Sequence, residues 1–108
     1  MADARAQYDQ AIAHDPELQA AWAGRAALSH HSGDTAAAIA DLDRALELGD
    51  DAALRYNRAV ACRTLGRLAD ALADLDAAVS LDPADPDIEQ ERLRCHAELG
   101  MPARRQPG

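Results

Sequence analysis

Four histidines, two cysteines and nineteen carboxylates are the side chains of this 108-residue sequence with the means for metal, nucleophilic or acid–base chemistry. Their spacing does not assemble it. His30 and His31 are neighbours, and adjacent residues on a helix point about 100° apart; two ligands for one ion need i and i+4. His14 and His96 fall on other segments. Cys62 and Cys95 form neither a CxxC nor a zinc pattern, and both read as buried thiols. No nucleophile stands beside a base, and no glycine-rich loop is present to cradle phosphate. The chain is therefore expected to be non-enzymatic, without cofactor or metal. One charge pattern is regular: Arg25, Arg58 and Arg92 recur at 33 and 34 residues, and Asp9, Asp43 and Asp76 at 34 and 33. A charged ligand site would use such residues. A charge repeated at every junction fits better a ladder of Arg–carboxylate pairs between structural units, for which the planar guanidinium is suited. The expected partners are Asp9 for Arg25, Asp41 or Asp43 for Arg58, and Asp74 or Asp76 for Arg92, each on the second helix of the preceding unit.

The elements that would position these residues repeat on the same period. Ala4-x3-Tyr8-x2-Ala11 recurs as Ala38-x3-Leu42-x2-Ala45 and as Ala71-x3-Leu75-x2-Ala78, while Gly33, Gly66 and Gly100 keep time with them. A period near 34 with small residues at fixed places marks stacked helical hairpins. Asp15-Pro16, Ser32-Gly33-Asp34, Gly49-Asp50-Asp51, Gly66, Asp82-Pro83, Asp85-Pro86 and Gly100 with Pro102 punctuate the chain. Between them, apolar residues three and four apart predict helices at about 3–14, 19–32, 35–48, 52–65, 68–81 and 86–99. Pro16 and Pro83 end helices, the three glycines supply left-handed closures, and Asp85 caps a helix that begins with Pro86. The stretch 101–108, with two prolines and no periodicity, is expected to be a disordered tail.

Composition agrees. The chain has 27 Ala, no Phe and one Trp, which suits closely packed helices and not a wide core. Its formal charge is −8, with all eleven basic residues Arg. That acidity disfavours nucleic acid and anionic membranes and leaves room for a basic partner. There is no apolar run of membrane-spanning length and no signal-peptide core at the start, so the expected location is cytoplasmic.

The motif Trp22-x2-Arg25-Ala26-x2-Ser29, then Ala38-x3-Leu42, and later Ala71-x3-Leu75 with Pro83, resembles the tetratricopeptide repeat family. The resemblance covers roughly residues 2–100. Arg25, Arg58 and Arg92 stand where that family usually has Leu, Asp50 replaces its terminal Pro, and one residue is missing near Gly49-Asp50-Asp51, which implies a tighter turn there. The implied fold is all-α: an α-solenoid of about six antiparallel helices in a right-handed superhelix, spanning 1–100. It divides into a half-unit 2–18, units 19–51 and 52–85, and a capping helix 86–99. At the open N-terminal half-unit, Ala4, Tyr8 and Ile12 face solvent or a further partner.

The resemblance also implies that the first helix of each unit lines a concave groove. The groove residues would be Ala20, Ala23, Gly24, Ala27 and His31, then Tyr56, Asn57, Val60 and Arg63, then Asp87, Glu91 and Arg94. Members of the family that hold a chaperone's C-terminal carboxylate place cations on either side of an Asn. Here Asn57 is flanked by Ala23 and Ala27 on one side and by Asp87 and Glu91 on the other, so a carboxylate would be repelled. The expected function is a protein–protein interaction module taking a peptide or partner helix, with a basic residue near Asp87 and Glu91. The alternative is a self-association or scaffold segment acting as a homo-oligomer through its N-terminal face.

Overall fold

The computed structural model describes residues 3–104. Six helices occupy them, with no strand among the described residues: α1 Ala4–His14, α2 Gln19–His31, α3 Thr35–Leu48, α4 Ala52–Thr64, α5 Leu68–Leu81 and α6 Pro86–Arg104. The chain is an all-helical repeat solenoid. Each helix packs on the next, α4 also touches α6, and the stack is elongated at 57 × 27 × 20 Å. Its radius of gyration of 15.5 Å exceeds the roughly 13 Å of a compact domain of this length.

Local chemistry sets the helix ends. Asp3, Asp34 and Asp51 cap α1, α3 and α4, each side chain accepting from a first-turn N–H. Asp85 accepts from the Asp87 N–H at 2.9 Å, just ahead of the helix that opens with Pro86. Gly33 and Gly66 carry φ of +93° and +81°, closing α2 and α4. There the N–H of Asp34 reaches back to Ser29 and that of Arg67 to Cys62, both at 2.8 Å. The turn between α3 and α4 has three residues where that between α5 and α6 has four. It is held from outside: the Gln19 amide donates to the carbonyls of Ala45 and Gly49 at 2.9 and 2.6 Å, while Arg55 grips Asp50 at 2.7 Å.

One expectation fails at the C-terminal end. Gly100 does not close α6, which runs on to Arg104. Residues 101–104, assigned above to a tail, are helical, and 105–108 lie outside the described residues. The physical reason is the partner: α2 and α4 turn back because α3 and α5 pack on them, whereas no later helix among the described residues pulls the chain back at Gly100. A glycine takes helical dihedrals at a cost of only about 1 kcal/mol.

Small residues let the helices close on one another. Ala26, Ala38, Leu42, Ala45 and Leu54 form one buried cluster. Ala59, Cys62, Ala71, Leu75, Ala78, Ile88 and Cys95 belong to a second. Cys62 and Cys95 are unpaired and buried, and desolvation raises both thiol pKa values.

The arginine ladder is present, with twice the pairing anticipated. Arg25 bonds Asp9 on α1 at 2.9 Å, but also takes Asp41 on α3 through two bonds of 2.8 and 2.9 Å. Arg58 bonds Asp43 on α3 at 2.8 Å and Asp74 on α5 at 2.8 and 2.6 Å. Asp41 and Asp74 therefore serve the arginine of their own hairpin, not that of the next one. Arg25 and Arg58 each staple the second helix of the preceding hairpin to the second helix of their own. These bonds, chiefly from Asp41 and Asp74, hold Arg25 and Arg58 charged above the ordinary guanidinium range. Arg92 meets only one of its two places: Asp76 at 3.5 Å, with Glu89 of its own helix at 2.9 Å as the other partner. No helix follows α6 among the described residues to bring the second carboxylate.

Candidate functional site

The family of positions expected to line a groove lies on α2, α4 and α6, which expose one edge each to the same side of the stack. Between α2 and α4 this face opens into a cleft of about 290 Å³. Ala23, Ala27, His30 and His31 of α2 form one wall, Tyr56, Asn57 and Val60 of α4 the other, and Ala38 and Leu42 of α3 part of the floor. The cleft exists because α2 contributes only small side chains at its centre. The contents are mixed: an apolar floor, the Asn57 amide with both donor and acceptor, and two histidines at one end.

Of the twelve residues proposed from sequence, Ala23, Ala27, His31, Tyr56, Asn57 and Val60 come together here. Ala20 is exposed on α2 and does not line the cleft. Gly24 is turned to another use. A Cβ at this position would overlap the Tyr8 ring, so the glycine is the seat on which α1 packs and not part of the open floor. Tyr8 is accordingly half-buried, as is Ile12, while Ala4 is exposed.

Arg63, Glu91 and Arg94 form a closed ionic cluster. Arg63 Nε donates to the Glu91 carboxylate, whose side chain is only 4% exposed, and Arg94 approaches the same group at 3.4 Å. Arg63 also reaches Glu98 at 3.4 Å. Glu91 is thus satisfied internally and does not offer the open acidic wall read from sequence. Asp87 stays exposed, and its carboxylate makes no ion pair among the described residues. The signal sequence reasoning missed was Arg63 itself: a long cation on α4, facing a carboxylate of α6, neutralises it.

Tyr56 lies between the cleft and the α6 carboxylates. Desolvation, then Glu91 and Asp87, raise its phenol pKa above the ordinary 10. A group raised in the folded state supports stability below its unfolded pKa, and that support is lost as pH climbs past it. Ultraviolet titration should therefore show Tyr56 ionising later than a free tyrosine, with the late step absent from Tyr56→Phe. Ionisation of Tyr56 at the ordinary value would remove this reading of its surroundings.

Three or more metal-ligating side chains do not converge anywhere among the described residues. No described helix is long and apolar enough to cross a membrane. Trp22 is engaged structurally: its indole N–H donates to the Pro16 carbonyl at 2.8 Å, and Arg25 and Arg44 lie over the ring at 5.1 and 5.9 Å.

No curated protein matches the chain by sequence. Among solved structures, the first tetratricopeptide repeat domain of Spaghetti (RPAP3), bound to the HSP90 peptide SRMEEVD, is similar in fold. Its TM-score is 0.83 at 21% identity, over 86% of this chain and 75% of that one. The tetratricopeptide repeat family model matches residues 1–53 and 32–86, the span that holds α1 to α5. With that match extending over most of its length and its helices paired in the family's order, the chain belongs to the tetratricopeptide repeat family.

Proposed function

We propose that the chain is a non-catalytic protein-interaction module that binds a partner's extended peptide in the cleft between α2 and α4. The observation that carries this reading is the cleft itself, open at about 290 Å³ between the first helices of two hairpins, with Asn57 exposed at its wall. A cleft of this size can take an apolar side chain, while the Asn57 amide can bond a peptide group beside it. The similar Spaghetti domain binds a peptide rich in Glu and Asp. The chemistry here differs. The net charge is −8, Asp87 is exposed, and the cations Arg63 and Arg94 are already paired with Glu91. The ligand is therefore one with Lys or Arg beside its apolar anchor. The binding face is short, so affinity should be on the order of micromolar, partly lost with salt. Cys62 and Cys95, free and buried, fit the reducing cytoplasm as the place where it acts.

The test is a peptide library bound to the wild type, Asn57→Ala and Val60→Glu. Selection of basic peptides with one apolar anchor, weakened about tenfold or more by Val60→Glu at unchanged helicity, is expected. Enrichment of acidic peptides, or indifference to both changes, would move the site elsewhere.

The second reading is self-association through α1. It is favoured by the absence of any fully buried residue on that helix. Light scattering decides it: a concentration-independent monomer mass removes this reading and leaves the first intact.

A further inference from the structure

The two junctions on the binding face derive from one repeat, yet only the first is open. At α2/α4, His30 and Asn57 stand on either side of the cleft, above Ala38 and Leu42. One repeat later their counterparts are Arg63 and Glu91, above Ala71 and Leu75. There Arg63 spans from α4 to α6 to bond Glu91, over Ala71 and Leu75, which are as fully buried as Ala38 and Leu42 at the first junction. Glu91 shows 4% of its side chain, and Arg94 supplies its second cation.

We infer that the Arg63–Glu91 pair is a specificity-determining plug: it fills a second compartment equivalent to the first and so restricts a bound peptide to a single apolar anchor. This inference rests on the groove reading above for its ligand, while the compartment itself follows from the repeat equivalence of the two junctions. A buried carboxylate that loses its cation is strongly disfavoured, whereas a pair removed as a whole leaves space without a stranded charge. Packed helices lie about 8–10 Å apart, and an extended chain advances about 3.3 Å per residue. A second anchor would therefore fall roughly three residues from the first.

The experiment uses Arg63→Ser/Glu91→Ala and, as a second opening that keeps the carboxylate, Arg63→Ser, which leaves Glu91 with Arg94. Isopentanol, a mimic of the leucine side chain, is titrated while amide chemical shifts are followed. In the wild type, shifts are expected at cleft residues, Asn57 and Val60 among them, and not at Ala71 or Leu75. In the variants new shifts should appear at Ala71 and Leu75, and the peptide library should gain a second apolar preference three residues from the first. Folded variants without new shifts at Ala71 and Leu75 would overturn the plug. So would loss of the fold in both, which would make the pair a structural brace. Absence of shifts at Asn57 and Val60 in the wild type would count against the groove reading, while Ala71 and Leu75 in the variants still report on the plug.

Discussion

Ala38→Leu and Ala71→Leu should each destabilise the stack by about 1–3 kcal/mol, the usual cost of forcing extra methylenes into a closed contact. For a domain of this size that is several degrees of thermal midpoint or more, at roughly 4–8 °C per kcal/mol. Both alanines are 0% exposed. Ala38 shares its cluster with Ala26 and Ala71 shares its own with Ala59, so each is buried between the two helices of a hairpin. A leucine there pushes α3 off α2, or α5 off α4, and the Arg25–Asp41 and Arg58–Asp74 bonds across the same hairpins must stretch with it. Asp70→Ala is the control, an exposed residue on α5 whose loss should stay within about 0.5 kcal/mol. Midpoints that match the control, measured by circular dichroism, would show that the alanine contacts do not set the helix spacing.

The second large effect is at Asp74. Its side chain is 5% exposed and accepts from both Arg58 and Arg55, the former through two bonds. Asp74→Ala leaves two guanidiniums facing each other with one shared partner gone. Removing one side of a buried pair costs about 3–5 kcal/mol. Arg55 and Arg58 are 27% and 21% exposed, so water recovers part of that, and about 2 kcal/mol is expected. Asp43→Ala removes a 52% exposed partner of the same Arg58 and should cost less than about 1 kcal/mol. Arg58→Leu should retain the fold, because Asp74 keeps Arg55. Combining Arg58→Leu with Asp74→Ala should cost less than the sum of the two alone. Additive losses in that cycle, read from urea midpoints, would mean that the pair does not act as a unit.

Much of the helix plan was legible because its causes are local. Caps such as Asp34 and Asp51, the helix-ending Pro16 and Pro83, and the left-handed Gly33 and Gly66 act within a few residues, and the spacing of small residues records which helix faces must touch. The same spacing brought six of the twelve proposed residues to one cleft, Ala23, Ala27, His31, Tyr56, Asn57 and Val60, because repeat positions occupy equivalent places. It also pointed Arg25 to Asp9, and Arg58 to Asp41 or Asp43, of which Asp43 is the partner on the preceding hairpin.

What the repeat could not show is how individual long side chains choose among partners within reach. Asp41 and Asp74 turn to their own hairpin's arginine because a guanidinium between two second helices can grip both, which spacing alone does not distinguish. Gly24 is covered by Tyr8, a contact between residues 16 apart that depends on how α1 leans. Glu91 is closed off by Arg63, 28 residues earlier, which converts an apparent acidic wall into a neutral plug. Gly100 continues its helix because closure needed a neighbour to turn toward. By itself the sequence determined the helices, their pairing in a repeat and which positions recur on one face, since each follows from local dihedral preference and the pitch of the repeat. Only the tertiary structure decided which parts of that face stay open, because burial and ion pairing depend on the distances at which separate helices come to rest.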